Sequence, residues 1–265
     1  MTDPHFRRLT LITGASSGIG TELARICAAK GHDLALVARS SDALHALSDE
    51  IAAAGAPRPL VIVLDLAGRD AGEELETALA QARASVSILI NNAGFGLAGP
   101  ARALNAREQV EMIDLNVRSL SDLTLRFLPQ IIAARGRIMN VASVAAFLPG
   151  PGMATYYATK SFVVSFSESL WQELRATGVT VTALCPGLTT TGFQARAGLD
   201  TALLKNMPTQ SARDVAMSGY EAMMAGRRRI VTGAFNKLTV ALMPFMPRAL
   251  LLPLLGYLQA KRRDG

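Results

Sequence analysis

The chain has 265 residues, of which 50% are hydrophobic and 18% charged, so it can bury a large core and global disorder is excluded. Its net charge is +6, but the basic residues are scattered and aromatic residues make up only 5%, which argues against a nucleic-acid-binding surface. Cys27 and Cys185 lie far apart without metal-ligand spacing, so we predict neither a metal site nor structural disulfides. Because no apolar secretion segment follows the first basic residues, we expect a cytoplasmic protein.

Short apolar runs alternate with longer segments of helical spacing through the first two thirds of the chain. Several of the runs are apolar throughout, as expected for strands that are covered on both faces. The six predicted strands are Leu9–Thr13, Asp33–Ala38, Leu60–Leu64, Val86–Ile90, Arg137–Ala142 and Val179–Leu184. Repeated strand–helix alternation implies parallel strands joined by right-handed crossovers. We therefore predict an α/β fold with a single doubly wound Rossmann-type domain, whose mostly parallel sheet carries a ligand crevice at the carboxyl ends of its strands.

The last third of the chain is less regular. Residues 188–210 predict a loop beside the crevice, Ala212–Met224 has helical spacing, and Arg229–Thr232 predicts an edge strand. We assign residues 1–236 to the Rossmann-type domain and residues 237–265 to an apolar helical tail.

Three prolines and a central arginine interrupt the apolar segment 238–258, so a membrane-spanning helix is not predicted. We expect two short helices that cover the crevice or pack on a subunit interface. Attachment to a membrane surface, aided by the basic cluster Lys261-Arg262-Arg263, is the alternative.

A glycine-rich segment, Thr13–Gly20, follows the first predicted strand and precedes a helical pattern. Glycine permits positive φ and lets the backbone approach a diphosphate closely, while the start of the next helix attracts its charge. A plain turn is the alternative. The glycines are spaced Gly-x-x-x-Gly-x-Gly, which differs from the commoner dinucleotide fingerprint Gly-x-Gly-x-x-Gly.

This spacing, with Ala-Ser-Ser inside it, resembles the short-chain dehydrogenase/reductase family, and the resemblance extends in order over residues 9–192. The matching motifs are Thr13–Gly20, Asp65, Asn91-Asn92-Ala93-Gly94, Asn116, Ser143, Tyr156-x-x-x-Lys160 and Pro186-Gly187. The resemblance implies an oxidoreductase that transfers a hydride between a nicotinamide cofactor and a carbonyl or secondary alcohol. It also implies a homodimer or homotetramer and makes the loop at about 188–210 the substrate loop.

The residue after the second strand favours NADP(H) as the cofactor. No carboxylate stands there to bind a ribose 2′-OH, whereas the guanidinium of Arg39 can clasp a 2′-phosphate. The alternative is a solvent-exposed arginine at a helix start. Ser17 stands where many NADP-dependent relatives carry a second basic residue, so NAD(H) remains an alternative cofactor.

The resemblance implies a cofactor site that runs along the whole crevice. Its residues are Gly14, Ser16, Ser17, Gly18, Ile19, Gly20, Arg39, Asp65, Leu66, Asn92, Ala93, Gly94, Tyr156, Lys160, Pro186, Gly187, Thr189 and Thr191. Three assignments stay open at the level of sequence. Asp65 is expected at the adenine amine or as a cap of the next helix, Asn91 has a structural alternative, and Thr190 competes with Thr191 for the hydroxyl contact.

Tyr156 and Lys160 are spaced i, i+4 in a segment that reads as helix, so they project onto one face. A free tyrosine has a pKa of about 10, and a nearby ammonium together with an oxidised nicotinamide should lower it towards neutrality. The resemblance selects Tyr156 as the proton-transfer group, and Lys160 is expected to bind the nicotinamide ribose. Tyr157 is expected to pack or to line the substrate side.

Ser143 and Asn116 complete the predicted catalytic set. Ser143 follows the fifth strand, where its hydroxyl can donate to a substrate oxygen as negative charge develops. It is not an acylating nucleophile, because all three histidines precede residue 46 and no Gly-x-Ser-x-Gly surrounds it. The resemblance gives Asn116 a water that relays protons to Lys160, and the alternative is an asparagine satisfied at a helix interface.

Apolar side chains near the motifs are the only indication of the substrate class. Phe95, Phe147, Met153, Phe193 and the methionine-rich tail could line an apolar pocket, which favours a lipophilic ketone or aldehyde, although each could equally be core. A catalytically silent dinucleotide sensor or scaffold is the rival hypothesis, and it predicts a broken catalytic set.

Overall fold

A seven-stranded parallel sheet forms the centre of the protein. The structure, a computed structural model, describes residues 6–199, 208–246, 249, 251–253 and 256. The strands of the sheet are β1 (Arg7–Thr13), β2 (Leu34–Ala38), β3 (Leu60–Val63), β4 (Ala84–Asn91), β5 (Arg137–Val141), β6 (Thr180–Cys185) and β9 (Arg229–Val231). Their spatial order is β3-β2-β1-β4-β5-β6-β9, and all neighbouring pairs are parallel. Two short strands, β7 (Thr189–Thr190) and β8 (Gln210–Ser211), pair separately.

Helices cover both faces of this sheet. They are α1 (Gly18–Ala29), α2 (Ser41–Ala53), α3 (Ala71–Gln81), α4 (Ala106–Ile113), α5 (Leu120–Ala133), α6 (Ala154–Glu173), α7 (Phe193–Ala197), α8 (Ala212–Met224) and α9 (Ala234–Leu242). A π-helical turn, Asp114–Ser119, joins α4 to α5. Single 3₁₀ turns lie at Val144–Phe147, Arg175–Thr177 and Met243–Phe245.

The central strands are mostly apolar and buried because each face of the sheet packs against a different helix layer. In β2, for example, all five residues are buried: Leu36 belongs to the cluster formed with α1, α2 and α8, and Val37 to the cluster formed with α3, α5 and α6. The predicted doubly wound α/β fold is therefore confirmed. The predicted helix Ala212–Met224 is α8, and the edge strand predicted at Arg229–Thr232 is β9.

The strand order reverses between β1 and β4, which creates a crevice at the carboxyl ends of these two strands. A buried polar network ties β4 to β5 beside it. Asn91 Nδ2 donates to Thr124 Oγ1 and to Asn140 Oδ1 at 2.9 Å each, and Asn140 Nδ2 donates to Ser167 Oγ at 2.9 Å. Asn91 thus has the structural role that the sequence left open.

The predicted division at residues 236 and 237 falls inside α9. Residues 200–207 of the predicted substrate loop and the basic cluster in 257–265 lie outside the described residues. Among the described helices, none is long and apolar enough to cross a membrane. The outer face of α9 and the turn after it nevertheless leave large apolar side chains exposed, with Phe235 at 61%, Leu238 at 59%, Leu242 at 52% and Phe245 at 83%.

Candidate active site

A cleft of about 890 Å³ opens at the carboxyl ends of the strands, near the upper end of the range of about 300–1,000 Å³ that is typical of small-molecule and cofactor sites. All the predicted cofactor residues except Gly20 line it, together with Ser143. Tyr156 and Lys160 lie at one end of the predicted site, and Arg39 and Asp65 were predicted for the adenosine end. The structure therefore brings the motifs, which are spread over most of the chain, to a single cavity.

The glycine-rich turn between β1 and α1 depends on glycine at defined points. Gly14 and Gly18 have φ of 65° and 59°, in the left-handed region that side-chain-bearing residues avoid. Gly20 does not line the cleft, because it packs the helix onto the turn: a Cβ there would lie 2.2 Å from the carbonyl oxygen of Gly14. The N-cap residue Ser17 makes no side-chain bond to the first turn, which leaves amide groups to bind an anion.

Thr13 and Asn92 fasten this turn to the end of β4. Thr13 Oγ1 accepts from the amides of Asn92 and Ala93 at 3.0 Å each. In return, Asn92 Nδ2 donates to the carbonyl oxygens of Thr13 and Gly14, also at 3.0 Å each. The side chain of Asn92 therefore stabilises the conformation of the turn. Its predicted contact with the cofactor would have to come from the backbone of Asn92, which lines the cleft.

Arg39 and Asp65 lie side by side, following β2 and β3. Arg39 Nη1 is 3.7 Å from Asp65 Oδ2, and both side chains are about half exposed, at 53% and 54%, so their ion pair contributes little to stability. Asp65 Oδ1 accepts from the amide of Ala67 at 3.1 Å, while Asp70 is the N-cap residue of α3. Asp65 therefore does not cap the next helix, which removes the structural alternative raised for it.

Tyr156 and Lys160 project from α6 into the cleft, as their spacing predicts. Both are largely buried, with exposures of 8% and 6%. Lys160 Nζ lies 5.9 Å from the centroid of the Tyr156 ring and donates to the carbonyl oxygen of Val141 at 2.8 Å. The rings of Phe193 and Tyr157 flank Tyr156, with centroids 5.4 Å and 6.2 Å away.

Burial moves the pKa values of these two groups in opposite directions. Burial raises the pKa of Tyr156 to about 12, and a hydrogen bond from Ser143 only partly offsets this. Burial lowers the pKa of Lys160 to about 8, with a smaller opposing effect from the thiol of Cys185. The sequence predicted a lowered pKa for Tyr156. That prediction includes a bound oxidised nicotinamide, so it stays a prediction; in the protein alone, loss of hydration dominates and the pKa is raised.

Ser143 is held where β5 and β6 end. The amide of Ala142 donates to Leu184 at 2.7 Å, and the amide of Val144 donates to Pro186 at 2.9 Å. Ser143 Oγ accepts from the amide of Ala145 at 3.1 Å, which leaves its proton free to be donated. The hydroxyl can therefore face Tyr156 and donate a hydrogen bond within the cleft.

Asn116 lies in the π-helical turn, a feature that often marks functional sites. Its side chain is nearly fully buried and fully bonded: Oδ1 accepts from the amide of Phe95 at 3.1 Å, and Nδ2 donates to the Phe95 carbonyl at 2.9 Å and to Thr159 Oγ1 at 3.1 Å. The side chain of Asn116 is therefore hydrogen-bonded within the protein, which is the structural alternative that the sequence left open. The water relay stays a prediction. Because the side chain is already bonded, the main chain of Asn116 is the part that could bind the water.

The segment after β6 closes the cleft. Thr191 lines the cleft and its methyl group packs against Gly18, where an added Cβ would lie 3.0 Å away. Thr190 is exposed and does not line the cleft, so the geometry favours Thr191 for the hydroxyl contact. Thr189 is buried, and its carbonyl accepts from the side chain of Gln194.

Sequence reasoning missed three polar residues of the cleft: Ser40, which precedes α2, and Gln194 and Arg196 on α7. The only signal for Gln194 and Arg196 was their position in a loop that follows the Pro186-Gly187 motif, which does not distinguish a lining residue from a solvated one. Of the apolar candidates, Met153 and Phe193 line the cleft, Phe147 lines a neighbouring cavity, and Phe95 is core.

This arrangement has a counterpart among known proteins. The sequence profile described as short chain dehydrogenase matches residues 8–202. The chain belongs to the short-chain dehydrogenase family. It is 37% identical to sulfoacetaldehyde reductase 2 of Chromohalobacter salexigens over 216 residues, which cover 78% of this chain and 85% of that protein.

Solved structures of this family agree with the fold. A short-chain dehydrogenase/reductase from Burkholderia phymatum in complex with NAD matches with a TM-score of 0.79 and 28% identity, covering 91% of this chain and 94% of the other. A short-chain dehydrogenase from Sphingobium yanoikuyae in complex with NADPH matches with a TM-score of 0.76 and 32% identity, covering 92% and 98%. This short-chain dehydrogenase is therefore an oxidoreductase that acts on CH–OH or C=O groups with a nicotinamide dinucleotide, and its cleft and uncapped glycine-rich turn fit that cofactor.

The lowered pKa of Lys160 predicts a pH dependence of stability. Between pH of about 8, its value in the fold, and 10.5, its ordinary value, the unfolded chain holds the proton that the folded chain has lost. The free energy of unfolding therefore gains a term that rises with pH in this window. We expect the cofactor-free wild type to gain stability relative to Lys160→Met from pH 8 to 10.5, and a constant difference below pH 8, in urea titrations.

Tyr156 and Cys185 also titrate abnormally, with pKa values raised to about 12 mainly by burial. Burial is common to both proteins, so only the smaller interaction between Cys185 and Lys160 differs in the comparison. Parallel stability profiles of wild type and Lys160→Met over this window would show that Lys160 is not buried as described.

Proposed function

We propose that this short-chain dehydrogenase is an NADP(H)-dependent carbonyl reductase, in which Tyr156 donates the proton. The observation that carries the proposal is the convergence of Tyr156, Lys160 and Ser143 at one end of a cleft that also contains a glycine-rich anion-binding turn. The bound cofactor supplies the hydride, and the protein supplies position and proton.

The raised pKa of Tyr156 is compatible with the role of proton donor in a reduction. With a pKa of about 12, the phenol is protonated at neutral pH and can act as an acid towards a carbonyl oxygen. Ser143 can turn its hydroxyl proton from Tyr156 to the same oxygen and stabilise it as its negative charge grows. Lys160 is placed to bind the nicotinamide ribose by exchanging its bond to the Val141 carbonyl.

Asn116 enters this proposal through its position. It flanks Gly94 together with Lys160: a Cβ on Gly94 would lie 2.8 Å from Asn116 Oδ1 and 3.6 Å from Lys160 Nζ. Since its side-chain amide is committed to Phe95 and Thr159, a water that relays protons to Lys160 would bind its main-chain carbonyl.

Tyr156→Phe tests the proton donor. We expect turnover to fall by at least about a hundredfold, the usual contribution of a positioned acid, while NADPH still binds and the chain stays folded. Tyr157→Phe is the matched control, because it removes the neighbouring phenol of the same helix and should keep most of the turnover. The measurement is NADPH oxidation over a panel of ketones and aldehydes. Equal turnover by wild type and Tyr156→Phe would exclude Tyr156 as the proton donor, and no turnover of any substrate by the wild type would support a silent dinucleotide sensor instead.

Arg39 is the basis for preferring NADP(H). Its guanidinium lines the cleft at the end of β2, while the nearest carboxylate, Asp65, follows the next strand. The related structures hold either NAD or NADPH, so they leave the preference to this chain's own residues.

We expect Arg39→Ala to raise the KM for NADPH by about tenfold or more, with little change for NADH, because a charge-assisted bond to the 2′-phosphate contributes about 1.5–3 kcal/mol. Arg58→Ala is the control, since Arg58 is a comparably exposed arginine that pairs with Asp49 outside the cleft. Equal changes for both cofactors would refute the preference.

We further propose that the substrate is a lipophilic ketone or aldehyde. Met153, Phe193 and Leu199 line the cleft near Tyr156. Beyond Tyr157 lies a second cavity of about 720 Å³, whose lining is almost wholly apolar and includes Phe147 and Met243. A reductase of short polar aldehydes would have little use for this lining. The same NADPH-oxidation panel decides, because activity confined to short anionic aldehydes would exclude a lipophilic substrate.

Finally, we propose a cytoplasmic homodimer or homotetramer that associates through α9. Both cysteines are free and buried, which suits a reducing compartment. The exposed apolar side chains of α9 form one face, because 235, 238 and 242 recur at helical spacing, and such patches usually mark contact surfaces.

We expect sedimentation equilibrium to give a multiple of the chain mass for the wild type and a lower mass for Leu238→Glu/Leu242→Glu. Leu125→Glu, an exposed leucine on α5, is the control for charge alone. A monomeric wild type that co-sediments with anionic liposomes would favour the membrane-surface alternative.

A further inference from the structure

Arg196 is a cation in the cleft that the proposed mechanism does not use. It projects from α7, lines the same cleft as Arg39, and its guanidinium carbon lies 4.6 Å from the centroid of the Phe95 ring. Stacking on an aromatic face orients a guanidinium without consuming its hydrogen-bond donors. Within the described part of the chain, no carboxylate forms an ion pair with Arg196, so its donors remain available to an anion.

Arg196 lines the same cleft as Arg39 and Asp65, the two residues predicted for the adenosine end. Its pKa is lowered mainly by burial and also by the positive charge of Arg39, while Asp65 acts in the opposite direction. Two guanidinium groups and a single carboxylate therefore share this region. Because like charges at close range repel each other, an anion bound between the two arginines would be stabilised by both.

Arg196 is held in place although it follows a loop. The amide of Ala98 donates to the carbonyl of Ala197 at 2.8 Å, which ties α7 to the segment after β4. The buried side chain of Gln194 donates to Thr189, and the amide of Phe193 donates to Thr191 Oγ1 at 3.2 Å. These bonds anchor the helix from both sides, so the position of Arg196 is part of the fold.

We propose that Arg196 binds a phosphate group of the dinucleotide from the side of the cleft opposite the glycine-rich turn, and so supplies the second cation that Ser17 does not. This inference rests on the proposed NADP(H) function. It makes α7 a cofactor-binding element as well as a wall of the substrate pocket.

The test is isothermal titration of the full chain with NADPH and with NADH. We expect Arg196→Gln to raise the Kd for NADPH by about 10- to 100-fold, the effect of losing a charge-assisted bond, and Arg196→Lys to restore part of the affinity. Arg175→Gln is the matched control: Arg175 also stacks on an aromatic ring, that of Trp171 at 5.4 Å, but it lies outside the cleft. It should leave both affinities unchanged.

The two cofactors identify the phosphate. A loss confined to NADPH assigns Arg196 to the 2′-phosphate, and equal losses for NADPH and NADH assign it to the diphosphate. Unchanged Kd values for both cofactors in a folded Arg196→Gln overturn the inference, and a raised KM for an anionic substrate in that variant would give Arg196 to the substrate. If wild type binds neither cofactor, the proposed function fails, which is a different result.

Discussion

The site depends on the bonds between Thr13 and Asn92. Thr13 ends β1 and Asn92 directly follows β4, on either side of the point where the strand order reverses. Four hydrogen bonds of 3.0 Å join these two residues and their neighbours. The glycine-rich turn has little intrinsic preference for one shape, because glycine is conformationally free. The hydrogen bonds between Thr13 and Asn92 therefore fix the conformation of the turn. This explains why Asn92, which the sequence predicts as a cofactor contact, uses its side chain to donate hydrogen bonds to the backbone of the turn.

Tyr156 and Lys160, the proposed catalytic pair, are two groups that burial pushes towards neutrality. Desolvation favours the phenol of Tyr156 and the free amine of Lys160, so the protein on its own disfavours both charged forms. Lys160 lessens its penalty by donating to Val141, and Tyr156 does so through Ser143. Any group that brings charge or hydroxyls into this dry region therefore has a large effect on proton affinity.

The sequence was sufficient where local pattern and burial coincide. β2 is buried on both faces and apolar throughout, and it was predicted to within one residue, as was the mostly apolar β5. The spacing of Tyr156 and Lys160 placed both on one face. The sequence was insufficient where the outcome depends on distant neighbours. The pKa of Tyr156 reflects how deeply α6 is covered, the bonds of Asn116 reflect where Phe95 and Thr159 come to lie, and no local pattern distinguishes Arg196 from a solvated arginine.

A single short helix links the two halves of the cleft. Through the segment that leads into it, α7 packs Thr191 against Gly18 at the glycine-rich turn, and it places Phe193 against Tyr156. One turn further on, Arg196 stacks on Phe95. These contacts belong to one five-residue helix and the turn before it. A shift of this segment at Gly18 would therefore also move Phe193, which packs against Tyr156. The walls of the proposed cofactor and substrate sites are therefore parts of one packed unit.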